Sequence, residues 1–186
     1  MIIQEMADLL ALDLVDKRLV TDQIVLTVGY DIENLSDPAV RKAYKGPVTT
    51  DRYGRRIPKH AHGTIHLVSQ TSSAHQIIDA ALELYDRIVD KKLLIRRASI
   101  SAEHVLGEET VKENVSYEQL DLFTDYGALQ QQKMEEERDL ERERKMQKAV
   151  LEIKKRFGKN MILKGMNLEE GARSKDRNER IGGHKA

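Results

Sequence analysis

The sequence predicts an α+β fold, a split βαβ arrangement in which an antiparallel sheet carries two helices on one face. Residues 63–71 and 93–102 alternate in side-chain character at period two, as half-buried strands do. Between them, residues 74–88 repeat apolar side chains at three- and four-residue spacing, which is typical of an amphipathic helix. The resulting order of helix, strand, strand, helix, strand becomes β-α-β-β-α-β if one strand precedes Met1. We therefore expect the first strand of the sheet to be missing from this chain.

The individual elements follow from local patterns. Residues 23–31 form the strand after the first helix, and Gly29 within it predicts a bulge or a close backbone approach. Ser73 and Gln76 form the capping-box pattern ahead of the second helix. The expected apolar stripes of the two helices are Ile2, Ile3, Met6, Leu9 and Leu10, and Ala74, Ile77, Ile78, Ala81, Tyr85 and Ile88.

Composition limits the class of protein. The 186 residues suffice for one domain with an appendage, and a charged fraction of 33% predicts that part of the chain is solvated. There is no cysteine, and no apolar run reaches the length of a membrane span. No signal peptide opens the chain, so we expect a soluble cytoplasmic protein.

The zero net charge conceals a separation of charge along the chain. Residues 41–59 contain one acidic residue, Asp51, and seven cations: Arg41, Lys42, Lys45, Arg52, Arg55, Arg56 and Lys59. Residues 108–125 contain six acidic residues and one lysine. The helices are acidic outside, whereas the loop and the last strand are basic, so the predicted domain has a cationic open face suited to a phosphate backbone.

The chain divides into four parts. A domain at 1–106 is followed by an acidic linker at 107–127 and a charged helix at 128–157, and residues 158–186 hold a small apolar cluster and a flexible tail. The helix has only a thin apolar line. Three interpretations are therefore compatible with its sequence: a solvated single helix, a coiled-coil seam, or a helix docked at one end. Gly158 is expected to end it.

The sequence contains no clear motif for a catalytic or metal site. His60, His62 and His66 lie close in sequence, but no fourth ligand is evident, and histidines in a basic loop commonly donate to anions or are solvated. The chain has no glycine-rich phosphate loop and no nucleophile elbow. Its acidic residues fall on helix exteriors and in the linker, so we expect no catalytic centre, no metal and no cofactor on this chain.

Four segments together resemble the C-terminal part of a Y-family translesion DNA polymerase of the UmuC/DinB kind, its little finger domain and tail. These segments are His62–Leu67, Ile95–Ser101, Gln119–Phe123 and Arg177–Ala186. The resemblance covers nearly the whole chain and implies DNA repair by translesion synthesis within the SOS response. Palm, fingers and thumb are absent, so the resemblance implies no polymerisation by this chain alone.

The resemblance also implies partners and binding residues. In such domains the sheet grips DNA phosphates, which implies this role for Arg96, Arg97, Ser99 and Ser101, with Thr64 and His66 on the neighbouring strand. The cationic loop adds the DNA-binding candidates Arg52, Arg55, Arg56 and Lys59. The pentapeptide at 119–123 is similar to the bacterial sliding-clamp-binding motif. There Gln119 would be the polar anchor, Leu122 and Phe123 would fill a cleft, and Leu120 would add apolar contact.

Two other functions compete with this one. The charged helix at 128–157 would suit a structural adaptor that oligomerises through it. An RNA-binding split βαβ domain is disfavoured because the sheet strands lack an aromatic pair for base stacking. A missing first strand would also leave ladder groups unpaired, which predicts self-association through the sheet edge.

Overall fold

A computed structural model describes residues 1–112, 126–181 and 184–185. It confirms the α+β class, with an antiparallel sheet, two helices packed on one face and a long helix after the domain. The first part of the chain contains α1 (Ile2–Lys17), β1 (Leu19–Tyr30), α2 (Glu33–Ser36), α3 (Pro38–Ala43), β2 (Val48–Thr50), β3 (Arg56–Pro58), β4 (Ala61–Thr71), α4 (Ala74–Ile88) and β5 (Ile95–Glu103). The remainder contains β6 (Leu106–Gly107), α5 (Glu108–Lys112), α6 (Tyr126–Phe157), a 3₁₀ turn (Gly165–Leu168), α7 (Ser174–Asn178), β7 (Arg180–Ile181) and β8 (His184–Lys185).

The central strand of the sheet is β1. It pairs antiparallel with β4 on one side and with β5 on the other, and the short β6 continues the β5 side. Ile24 pairs with Ile65 and Ala102, and Leu26 with Gly63 and Ile100. Among the described strands none pairs with the outer edge of β5.

The core lies between the sheet and the helices α1 and α4. Ile24, Leu26 and Val28 of β1 are fully buried, because alternate residues of the strand all point to the helices. From α4, Ile77, Ala81 and Leu84 are fully buried. The sequence pattern omitted Leu84 from the stripe, although it lies between Ala81 and Ile88 on the same face.

The start of α4 confirms Ser73 as the N-cap but not the reciprocal half of the capping box, because the N–H of Ser73 donates to Thr71 Oγ1 and not to the Gln76 side chain. Ser73 Oγ accepts a hydrogen bond from the backbone N–H of Gln76 at 3.3 Å. Gly158 directly after α6 has φ of +107°, the left-handed conformation expected of a glycine that ends a helix. Both helix ends could therefore be placed from local chemistry.

The cationic loop is partly structured. It begins within α3 and contains a hairpin of β2 and β3, in which Val48 pairs with Pro58 and Thr50 with Arg56. The hairpin carries Arg52, Arg55 and Arg56 of these cations, and α3 carries Arg41 and Lys42. Within the described residues no helix has the length and apolar character needed to cross a membrane.

Helix α1 is buried on more sides than its apolar stripe predicts. Glu5 and Asp8 are 1% and 3% exposed, although both are charged and Asp8 was expected to face solvent. They face the C-terminal segments, which pack on the side of α1 away from the sheet through Asn167, Arg173 and Lys164. Part of the region predicted as a flexible tail thus lies against the domain.

Candidate nucleic-acid interface

The face of the sheet opposite the helices is lined by small polar side chains. Because Ile24, Leu26 and Val28 point into the core, Val25 and Thr27 point the other way. Residues paired with these two share the same face. Val25 pairs with Thr64 and Ser101, and Thr27 pairs with His62 and Ser99. The predicted residues Thr64, His66, Ser99 and Ser101 are therefore on one open face, as alternation indicated.

One hydrogen bond fixes a ring on this open face. Thr27 Oγ1 lies 2.9 Å from His62 Nδ1. His62 itself is exposed and its ring lies 6.5 Å from that of His60. In the part of the chain that the structure describes, no three side chains of His, Cys, Asp or Glu are placed to hold a metal ion.

A register irregularity brings Arg96 to the same side as Arg97. Gly29 pairs with Arg97 and Tyr30 pairs with Ile95, so Arg96 is an extra residue in β5 with no partner on β1. Bulges of this kind change the direction of a side chain that simple alternation would send to the opposite face. Both arginines line one cleft. The extra residue lies on β5 opposite Gly29 and Tyr30, so the irregularity is next to Gly29 but the bulge belongs to the partner strand.

The tip of the β2–β3 hairpin is held by Asp51. Its Oδ1 accepts from the backbone N–H groups of Tyr53 and Arg55, at 2.8 and 3.0 Å. Its Oδ2 accepts from Nε of Arg55 at 2.9 Å, and the hydrogen bond from this side chain is the main reason why the pKa of Asp51 is lowered. Gly54 adopts φ of +77°, which closes the turn at no steric cost.

A cleft of about 440 Å³ lies between this hairpin tip and the open face of the sheet. Its lining brings together four arginines, Arg52, Arg55, Arg96 and Arg97. One acidic residue, Asp51, also lines it and partly neutralises Arg55. Guanidinium groups present a planar set of donors that match phosphate oxygens, so a cluster with net positive charge favours an anionic ligand.

Tyr53 is a cleft residue that the sequence did not single out. The Cζ atoms of Arg52 and Arg55 lie 4.7 and 5.0 Å from the centroid of its ring, within cation–π range. Arg52 also donates a hydrogen bond to the Tyr53 hydroxyl, and the residue is 65% exposed. The available signal was local: a tyrosine between two arginines, followed by a turn glycine.

Two of the predicted DNA-binding residues lie elsewhere. Arg56 lines a second cleft beside Arg41 and Tyr44, and Lys59 lines a third beside Lys92. Arg56 points away from the four-arginine cleft because its neighbour Ile57 lines that cleft and neighbouring residues of a strand point to opposite faces. Lys59 follows the end of β3. The proposed clamp-binding residues Gln119, Leu120, Leu122 and Phe123 lie outside the described residues.

Comparison with known proteins gives one match. Residues 1–122 match the model of the impB/mucB/samB family C-terminal domain. No curated protein and no solved structure matches the chain. The match covers the whole sheet domain, including the four-arginine cleft and the open face. The chain therefore belongs to the impB/mucB/samB family, as a C-terminal domain of the UmuC/DinB-like Y-family polymerase type.

Proposed function

We propose that this chain is a non-catalytic DNA-binding part of a lesion-bypass polymerase, and that the open face and the four-arginine cleft bind the phosphate backbone. The observation that carries the proposal is the convergence of Arg52 and Arg55 from the hairpin with Arg96 and Arg97 from β5. These pairs are about 40 residues apart in sequence, and the fold brings them to one cleft beside the hydroxyl-lined face.

The chemistry of the face fits a backbone ligand. Ser99, Ser101 and Thr64 offer short hydroxyl donors, and such groups commonly contact phosphate and sugar without reading sequence. The helices that cover the opposite face carry exposed acidic residues, for example Asp79, Glu83 and Asp86 of α4. DNA would therefore be attracted to one side of the domain and repelled from the other.

Salt dependence of binding tests this function. We expect binding of a labelled duplex to weaken steeply as salt rises, because each neutralised phosphate releases counterions. Replacing both Arg96 and Arg97 by Ala should weaken binding to all sequences alike and reduce the salt slope by about two. Lys148→Ala is the matched control, since Lys148 is an exposed cation on α6 rather than on the open face.

The outcomes separate clearly in a fluorescence anisotropy titration at several salt concentrations. The double variant removes two positive charges and Lys148→Ala removes one, so a loss of binding free energy in the double variant no more than twice that of Lys148→Ala would show that only overall charge matters. Binding that is independent of salt, or restricted to one sequence, would contradict the proposal.

Clamp docking is the second part of the proposed function. It rests on the sequence Gln119–Phe123, which lies between α5, ending at Lys112, and α6, beginning at Tyr126. A motif of five residues that fills one cleft is expected to bind with about micromolar affinity. Calorimetry against a bacterial sliding clamp should detect this binding, and Leu122→Ala with Phe123→Ala should abolish it. If the native chain and the double variant give equal heats of binding, this motif is not the clamp-binding site.

Self-association through the outer edge of β5 is a further partner interaction that we propose. No described strand pairs with this edge, and an unpaired edge favours strand addition. The competing adaptor function would use α6, on which Met134 and Leu140 are 56% and 39% exposed. Sedimentation equilibrium distinguishes the two: Ser101→Lys should disrupt an edge-paired dimer, whereas Met134→Glu with Leu140→Glu should disrupt an α6-mediated one. A monomer at all concentrations would exclude both.

A further inference from the structure

We propose that Tyr53 and the four-arginine cleft form a site for one unpaired nucleotide, with its phosphate on the arginines and its base stacked on the tyrosine ring. This inference rests on the proposed function, because it assumes that DNA is the ligand of the open face. It adds a specificity: the chain should prefer DNA that contains a single-stranded segment over blunt duplex.

The position of the ring is the first argument. Tyr53 is at the tip of a hairpin whose turn is fixed by three hydrogen bonds to Asp51, so the ring is presented by an ordered backbone. The residue is 65% exposed and lines the cleft that the arginines line. The other tyrosine at this cleft, Tyr30, is 6% exposed, and its hydroxyl accepts from the N–H of Asp90. Of the two tyrosines at this cleft, Tyr53 is therefore the one whose ring is accessible.

The size of the cleft is the second argument. A volume of about 440 Å³ is in the range of small-ligand sites and fits a nucleotide. A duplex keeps its bases in the stack, so it can offer this cleft only backbone atoms. An unpaired nucleotide can enter with its base, and proteins that bind single strands combine cationic grooves with aromatic rings in this way.

The pairing of charge with the ring is the third argument. Arg52 and Arg55 lie against Tyr53, and Arg96 and Arg97 line the same cleft from β5. Arginine planes stack on bases as well as binding phosphate, so the hairpin tip presents both recognition elements of a nucleotide next to each other. Structural packing alone does not account for Tyr53, because its ring is not part of the hydrophobic core.

The test compares three labelled DNAs of equal length with the full chain: a single strand, a blunt duplex and a primer–template with an overhang. The single strand and the primer–template should bind about 10-fold more tightly than the blunt duplex at the same salt concentration. Electrostatics alone predicts the reverse order, since counterion release per phosphate is smaller for single strands. A preference for unpaired DNA must therefore come from the base.

Two substitutions at one position isolate the ring. Tyr53→Ala should remove the preference, because it should weaken binding of the single strand and of the primer–template about 10-fold relative to its effect on the blunt duplex. Tyr53→Phe keeps the ring and should retain the preference. Circular dichroism of each variant checks that the fold is intact.

The outcomes distinguish this inference from the function on which it rests. If the chain binds none of the three DNAs even at low salt, the proposed function fails and the nucleotide site fails with it. If salt-dependent duplex binding is present but single strands bind no better, the proposed function stands and the nucleotide site is overturned. An equal loss on all three DNAs in Tyr53→Ala would also overturn it, because Tyr53 would then act on the backbone or on the hairpin itself.

Discussion

The sheet domain and the C-terminal segments are held by different forces. The domain is closed by apolar side chains, of which Ile24, Leu26, Ile77 and Leu84 are completely buried. The segments after residue 140 are attached to it largely through charged and polar contacts. Burial of apolar surface responds little to pH or salt, whereas hydrogen-bonded charges respond to both. The difference predicts that the two regions can be loosened independently.

Glu5 is the main polar contact between α1 and the C-terminal segment. Its Oε1 accepts from Asn167 Nδ2 at 3.0 Å and from the N–H of Ser174 at 3.2 Å, and its Oε2 accepts from the N–H of Arg173 at 2.9 Å. Burial raises the pKa of Glu5, but these hydrogen bonds together outweigh burial and lower the pKa overall. The carboxylate is thus kept charged in a buried position.

A second polar contact attaches α6 to the N-terminus of α4. Glu143 accepts from Ser73 Oγ at 2.6 Å and from the N–H of His75 at 3.0 Å, and Gln147 donates to the carbonyl of Ser72 at 3.1 Å. A carboxylate at this position satisfies free N–H groups and complements the positive end of the helix dipole. This contact shows that α6 docks on the domain with its C-terminal half, while residues 130–142 are exposed.

The largest expected effect is in the apolar region. Leu84→Ala should lower the free energy of unfolding by about 3 kcal/mol, because a fully buried leucine loses its contacts and leaves a cavity. Urea denaturation followed by circular dichroism measures it. Leu94→Ala is the control, since Leu94 is 56% exposed and should cost far less. Similar losses for both would contradict the assignment of Leu84 to the core.

Glu5→Gln should release the C-terminal segment without unfolding the sheet domain. The neutral amide forms weaker hydrogen bonds and brings an NH₂ group toward the donors that now face a carboxylate, which should cost about 2 kcal/mol of attachment. Hydrogen exchange should accelerate at Arg173 and Ser174 and stay slow in β1. Accelerated exchange throughout β1 would instead make Glu5 part of the domain core.

The same contact should respond to acid. Because the pKa of Glu5 is lower in the folded state than in the unfolded one, its contribution to attachment is fully present above the ordinary glutamate pKa of about 4.3. It is lost as the pH falls through the lower, folded value. The protection factors of the Arg173 and Ser174 amides, which correct for slower intrinsic exchange in acid, should therefore fall in that range in the native chain. In Glu5→Gln this fall should be absent.

The smallest of these effects should come from the α4 cap. Ser73→Ala removes the acceptor for the N–H of Gln76 and the donor to Glu143, and should cost about 1 kcal/mol. Glu143→Gln should cost less and should show less dependence on salt than the native pair of carboxylate and helix end. Thermal unfolding at two salt concentrations compares the variants. If Glu143→Gln lowers the unfolding temperature equally at the two salt concentrations, Glu143 contributes no charge effect.

The sequence by itself determined the three longest helices, α1, α4 and α6, the long strands and the composition of the open face. Alternation at period two suffices to place Ser99, Ser101 and Thr64 on one side of a sheet, because strand geometry is local. The cap at Ser73 and the glycine that ends α6 are local as well. The resemblance to the family rested on four short segments, two of which lie on these strands, and the family match over residues 1–122 bears it out.

Only the tertiary structure decided which cations meet. Arg52 and Arg55 reach Arg96 and Arg97 because the hairpin folds back over the sheet and a bulge turns Arg96, and neither event has a periodic signature. The same holds for Glu5 and Asp8, which a helical pattern places at the surface and the C-terminal segment buries. These features depend on contacts between residues far apart in sequence, and the free energy of such contacts is set by packing rather than by local propensity.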